Sequence, residues 1–525
     1  MTGRWKCRGR ALMASLALVV AAAAAPAAAA DGPTLRLDQG EVRGTLDGDI
    51  AAFKGLPYAA PPVGAARWWP PQPPLAWTGL RDAGAFGPDC VQKRGGWDAT
   101  QSHQPVSEDC LTVNVWTPPH GAAGLPVMVW IHGGGFTMGS GSQPLFDGAR
   151  LARRGVVVVT FNYRLGRFGF FAHPALTAEA QGGPVGDYGL MDQIAALQWV
   201  RRNIQAFGGD PSKVTLFGES AGGGSVNQLM LVAPARGLFR AAIAQSGGGR
   251  DDWPNLAKAE AIGQAFAAKA GIDGTDAAAL AALRALPAST ILGGLDLLSP
   301  EPKIYSGPML DGQLVKEKPS DGFAAGHEAQ VPFLVGANSN ELGFVPSVFL
   351  SLITGPAAAA LGGDRAAVIQ AYGSKAAFDA HLASDVTFVE PARQLAATAA
   401  AKGRPVWLYS FGYVPEAKRA RQNGAPHASD LAFVFGNLSA LDVAATPQDQ
   451  AMAALIGDYW ASFAKTLDPN GPGRPAWPRY GGPKGPRLEF GAAGGAVTGD
   501  ADLPGLDALR DHYAASAQHP SAGVP

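Results

Sequence analysis

Apolar positions along the chain follow two different spacings. Short unbroken runs of β-branched and other apolar residues, closed by glycine or polar turns, recur at Pro126–Ile131, Val156–Phe161, Val214–Phe217, Ala241–Gln245, Val331–Val335 and Pro405–Phe411. Runs of this length without polar alternation suit strands buried on both faces of a sheet, where no side of the strand meets water. Between them, apolar residues return every three or four positions, as at Leu190, Ile194, Leu197 and Val200 within Leu190–Ile204. That spacing gathers the apolar side chains on one face of a helix. The same repeat at Leu280, Leu283 and Leu286 predicts a helix over Ala277–Ala288, whereas Pro61–Pro74 reads as an irregular surface connection. Strand and helix signals that alternate in this way predict an α/β fold, with a mostly parallel central sheet, helices on both faces and long inserted loops.

The first thirty residues do not follow either spacing. Arg4, Lys6, Arg8 and Arg10 precede an apolar run, Ala11–Ala25, broken only by Ser15, and Ala28–Ala30 supplies an A-x-A site. This reads as a secretory signal peptide over 1–30, cleaved before Asp31, which leaves 31–525 as one folded catalytic domain. The run is short of the roughly 20 residues that span a bilayer, and no later segment is long enough, so stable membrane insertion is not expected. Of 42 basic and 43 acidic residues, cleavage removes four basic ones, so the mature chain carries no positive excess for binding nucleic acid. With 47% hydrophobic and 16% charged residues, the chain is no disordered polyelectrolyte either. Export changes how the cysteines read. Cys7 leaves with the leader, and Cys90 and Cys110 read as a disulfide, with two buried free thiols as the alternative. No histidine stands at zinc-ligand spacing beside them, so no metal is expected there.

The candidate chemistry lies where strands end. Val214-Thr-Leu-Phe-Gly-Glu-Ser220-Ala-Gly222 is a strand followed by G-x-S-x-G, the pattern that places a serine on a tight strand-to-helix turn. Ile131-His132-Gly133-Gly134-Gly135-Phe136 follows another strand, and a glycine triplet lets backbone N–H groups converge on a developing oxyanion. His132 precedes Ser220 and reads as a residue that fixes this loop. A Ser-acid-His triad on such a sheet runs in that chain order, each member on a turn after a strand. Glu341 lies just past the run that begins at Val331. Of the histidines beyond it, His381 sits in an Ala-rich helical stretch, and His512 and His519 lie in a polar tail. His427, in the loop after Pro405–Phe411, meets the order.

These blocks together resemble the type-B carboxylesterase family, the cholinesterase-like branch of the α/β-hydrolases, as a bacterial-type member. The resemblance also rests on Phe53–Gly64, Ser107–Leu111 with Asn114-Val115, Asn162-Tyr163-Arg164, Gly189–Gln193, Phe207–Pro211, Gln245–Gly247 and Trp477-Pro478. It implies the α/β-hydrolase fold and a serine carboxylesterase that needs no cofactor. Its substrate would be a small-molecule ester, cleaved through an acyl-enzyme on Ser220. Glu341 would be the acid, His427 the base, and the N–H groups of Gly134, Gly135 and Ala221 the oxyanion hole. The resemblance further implies a Cys90–Cys110 disulfide and an Arg67–Glu108 ion pair, and it puts Trp97 in a loop that lines the pocket of some relatives. Two other readings keep the same sequence features: an amidase or acyltransferase using the same triad, and a non-catalytic binding protein of this fold.

Overall fold

The computed structural model describes residues 1–3, 32–94, 101–118, 123–295, 306–345, 347–491, 494–499 and 503–518. All but the first three residues of the expected signal peptide, together with Trp97 and His519, lie outside the described residues. An eleven-stranded sheet organises the rest. Its strands are β1 (Thr45–Asp47), β2 (Ile50–Pro57), β3 (Thr112–Thr117), β4 (Leu125–Ile131), β5 (Val157–Phe161), β6 (Gly209–Glu219), β7 (Ala241–Gln245), β8 (Phe333–Asn338), β9 (Val406–Phe411), β10 (Pro486–Gly491) and β11 (Gly494–Gly499). In space they run β11-β10-β9-β8-β7-β6-β4-β5-β3-β2-β1. The stretch from β10 to β5 is parallel throughout, and antiparallel strands finish both edges.

Alternate residues of the central strands feed two cores. Val127, Val129 and Ile131 of β4 enter one core, together with Leu190, Leu197 and Val200 of helix α1 (Tyr188–Asn203) and Val226 of α2 (Ala221–Leu229). Met128 and Trp130 enter the other, with helix α7 (Pro447–Thr466) supplying Ile456, Trp460 and Phe463. Each such side chain contributes about 1.5–3 kcal/mol on burial, so a sheet covered on both faces is the stable outcome of unbroken apolar runs. A third, smaller core joins the helices α3 (Ser347–Ala360), α4 (Arg365–Ala371) and α5 (Lys375–Ser384) to α8 (Pro504–Gln518), through Ala358, Val368, Phe378, Leu382, Leu506 and Leu509. Helix α6 (Glu390–Ala401) continues from α5 across a five-residue π-turn, Asp385–Val389.

All six expected strands are present, Ala241–Gln245 with the expected bounds and the other five with shifted ends. The run from Val331 pairs only from Phe333, because Pro332 has no N–H to give the ladder. Helix Ala277–Ala285 stops short of Ala288: Pro287 drives Leu286 into extended geometry at ψ 140°. The polar stretch around His512 is no loose tail but part of α8, and the His512 ring nitrogen lies 2.7 Å from Asp364. Edge strands β1, β10 and β11 carried no apolar run by which to find them.

Candidate active site

Glycine sterics shape the turn at Ser220. The serine closes β6 and opens α2 with φ 56° and ψ −127°, a strained conformation for a residue with a side chain. A Cβ on Gly218 would lie 2.5 Å from the Gly222 carbonyl oxygen, and one on Gly222 would lie 2.0 Å from that of Ile131. Only glycine fits at these two positions. The Ser220 N–H donates to the Gln245 carbonyl at 2.9 Å, which ties the turn to the neighbouring strand β7. Gly247 in turn lies so close to Gly223 that a Cβ would meet its backbone at 2.6 Å, which accounts for the Gln245-Ser-Gly247 block.

The glycine triplet lies directly over this turn. A Cβ on Gly133 would be 2.9 Å from the Ser220 Cβ, while Gly134 and Gly135 take φ 103° and 59°. Among the described residues, no carbonyl or side chain accepts from the N–H groups of Gly134, Gly135 or Ala221. His132 is fully buried. Its Nδ1 meets the Gly133 carbonyl at 2.9 Å, its ring stacks on Tyr163 at 4.4 Å, and Tyr163 donates to the His132 carbonyl. Burial depresses its pKa to about 4, so it holds the loop as a neutral ring, the role its sequence position gave it.

Glu341 and His427 come together from separate loops. His427 Nδ1 stands 2.5 Å from Glu341 Oε2, and the His427 N–H donates to the Glu341 carbonyl. The other carboxylate oxygen of Glu341 accepts from the Ser246 hydroxyl at 2.6 Å and the Asn338 N–H at 2.7 Å. The ring's far nitrogen, Nε2, faces Glu219 Oε1 at 3.2 Å, an ion-pair approach without hydrogen-bond geometry. Burial on its own would depress His427, but the Glu219 and Glu341 carboxylates outweigh it and push it up to about 9. Burial likewise pushes Glu219 up to about 8. Behind them Asp430, fully buried, accepts from Gln245 Nε2 at 2.6 Å, and Trp460 donates to the Oε1 of that glutamine.

The sequence singles out Ser220, Glu341, His427 and the glycine loop as candidates but assigns nothing to Glu219, Ser246, Asn338, Gln245, Asp430 or Phe388. Two of these carried a signal: Glu219 adjoins the serine inside the motif, and Ser246 directly follows the strand beside it. The Phe388 ring lies 4.6 Å from the His427 ring, and no local pattern marks it. His381 lies on α5, as expected. Cys90 and Cys110 form a disulfide. Nearby, Arg67 and Glu108 pair through two hydrogen bonds of 2.7 and 2.6 Å, and Arg67 also donates to the Arg284 and Leu286 carbonyls. Arg164 makes a buried bidentate pair with Asp192, which joins the Asn162–Arg164 and Gly189–Gln193 blocks.

A mostly parallel sheet with helices on both faces and a serine on a glycine-lined strand-to-helix turn defines an α/β-hydrolase. The solved structures agree: one titled PNB esterase superposes with TM-score 0.78 at 34% identity, covering 91% of this chain and 99% of its own. A thermophilic PNB esterase reaches 0.80 at 33% identity over the same shares. The profile described as "Carboxylesterase family" matches residues 31–358 and 370–498, and the chain belongs to that family. Among similar proteins, fumonisin B1 esterase of Sphingopyxis macrogoltabida is 36% identical over 512 residues, 94% of this chain and 93% of its own length. Para-nitrobenzyl esterase of Bacillus subtilis (strain 168) is 39% identical over 458 residues, 84% and 91%. The protein is a carboxylic ester hydrolase acting on small-molecule esters. Among the described residues no helix is long and apolar enough to cross a membrane.

Proposed function

We propose that Ser220, His427 and Glu341 carry out ester hydrolysis in two displacements. The observation that supports this most directly is the 2.5 Å contact between Glu341 and His427 Nδ1, on a ring whose Nε2 lies 3.2 Å from Glu219, the residue before Ser220. Glu341, held by Ser246 and Asn338, fixes the tautomer in which Nδ1 carries the proton and Nε2 is the base. Nε2 takes the Ser220 hydroxyl proton as Oγ attacks the ester carbonyl. The carbonyl oxygen becomes an oxyanion, received by the N–H groups of Gly134, Gly135 and Ala221, each worth about 3–4 kcal/mol in the transition state. His427 returns the proton to the departing alcohol. Water then enters by the same route, releases the acid and restores the serine.

The substrate is a small carboxylic ester with an apolar acyl group, as an apolar cleft beside such a triad would select. Residues 31–525 act as one catalytic domain, exported to the periplasm or secreted once a signal peptide over 1–30 is removed, and the Cys90–Cys110 disulfide supports an oxidising destination. Hydrolysis of p-nitrophenyl esters from acetate to laurate, with Ser220→Ala measured beside the native protein, tests the reading. Turnover should fall by about 10⁴-fold or more in a variant that still folds, and the native protein should favour short acyl chains. Retained turnover by folded Ser220→Ala would overturn the assignment.

A further inference from the structure

The imidazole of His427 is held on one edge by Glu341, but its face is covered by Phe388, with ring centroids 4.6 Å apart and planes 33° from parallel. Phe388 belongs to the π-turn Asp385–Val389, a widening of the helix that interrupts the run from α5 to α6. Single π-turns cost hydrogen-bond geometry and persist where neighbours hold them, often beside functional sites. Here the supports come from three directions. On the N-terminal side, Tyr372 Oη donates to Asp385 Oδ2 at 2.6 Å, and the Ser384 hydroxyl accepts the N–H of Leu342, next in the chain after Glu341. On the C-terminal side, Glu390 takes two hydrogen bonds from Arg250, at 2.5 and 2.8 Å, in the loop that follows β7.

The third support is α8. Its Tyr513 ring lies under the Arg250 guanidinium at 4.3 Å, its Asp507 accepts from Arg393 on α6 at 3.1 Å, and its Gly505 packs so closely on the Tyr372 ring that a Cβ would meet it at 2.9 Å. The same helix thus reaches both residues that brace the π-turn, Tyr372 before it and the Arg250–Glu390 pair after it. Helix α8 makes no catalytic contact among those described, yet it closes the frame that presses Phe388 against the imidazole.

Resting on the assignment of His427 as base, we propose that Phe388 is a positioning residue for the His427 imidazole and that α8 is the clasp that sets it, through Tyr513–Arg250–Glu390 and Asp507–Arg393. A phenyl face over the ring restrains its rotation about the Glu341–Nδ1 contact and favours the imidazolium formed during each displacement. The effect belongs to kcat and not to substrate affinity.

In the full chain, Phe388→Leu should lower kcat by about tenfold with KM changed less than twofold, and Phe388→Tyr should restore most of it, since small misplacements of a reacting group are costly in rate. Tyr513→Leu, remote from the site, should lower kcat in the same way and add little to Phe388→Leu in the double variant, while Tyr513→Phe keeps the ring and the native rate. Proton NMR supplies a readout independent of turnover: the downfield resonance of the His427 Nδ1 proton should broaden or shift in Phe388→Leu and in Tyr513→Leu. A Phe388→Leu variant that raises KM alone would make Phe388 a wall of the substrate cleft and overturn the proposal. So would a Tyr513→Leu variant, folded by circular dichroism, with native kcat and native resonance. Inactive His427→Gln together with an unmoved resonance in Tyr513→Leu would leave the triad standing and the clasp refuted.

Discussion

The two halves of the active site are held in place by different physics. On the serine side, backbone does the work: Gly218, Gly222 and Gly133 lie where any Cβ would collide with a carbonyl or with Ser220 itself, and the Ser220 N–H is tied to the Gln245 carbonyl. On the histidine side, side chains do it: Ser246 and Glu219 surround Glu341 and His427 with polar contacts, and Phe388 covers the ring. A backbone-held half tolerates no added atom. A side-chain-held half gives way by degrees, so the two should answer substitution differently.

The largest contrast should come from Gly222→Ala. One added methyl group lies 2.0 Å from the Ile131 oxygen in an immobile strand, so the turn must move. Turnover should drop by about a hundredfold or more, with a lowered melting temperature. Native turnover in that variant would erase the distinction. On the other side, Ser246→Ala removes one of the two donors to Glu341 Oε1 but leaves the Asn338 N–H, and kcat should fall by about tenfold, as loss of an orienting partner commonly does. A hundredfold loss there would mean that the acid side is as rigid as the serine side.

Glu219→Gln sharpens the comparison through pH. As the proposed base, His427 must be neutral to act, and the nearby carboxylates hold its proton on up to about 9, so the acid limb of kcat/KM in the native protein should lie well above the usual imidazole range. Replacing Glu219 by a neutral amide of the same shape removes one of those attractions. The proton then leaves at lower pH, and the limb should move down. A limb that stays put would show that Glu341 alone sets the value.

The same division decides what the sequence discloses. The serine turn was legible because part of its steric demand is local: Gly218 meets Gly222 within the motif, although Gly222 also meets Ile131 of β4. Glu341 and His427 were legible by order alone, since a triad on this sheet must place them after successive strands. The orienting partners were not, because Ser246 meets Glu341 across 95 positions and nothing in Gln245-Ser-Gly247 names its partner. The parallel strands announced themselves through apolar runs, whereas α8 did not: its inward residues are few, and Asp507, Arg510 and Tyr513 gave it the look of a polar tail. Beside the apolar contacts of Leu506 and Leu509, it makes ionic and aromatic contacts to Arg250 and Arg393 far upstream, and those pairings leave no periodic trace.

That distance also sets an order of assembly. Along the chain, the sheet strands from β4 to β9, the glycine turn and both loops of the acid–base pair all precede Pro504. Arg250 and Glu390 thus stand far ahead of Tyr513, their aromatic partner, in the order in which the chain emerges. A product truncated ahead of this helix would contain Ser220, Glu341 and His427 without the element that braces the π-turn, so the order of the chain separates the segments that build the sheet from the segment that closes the frame.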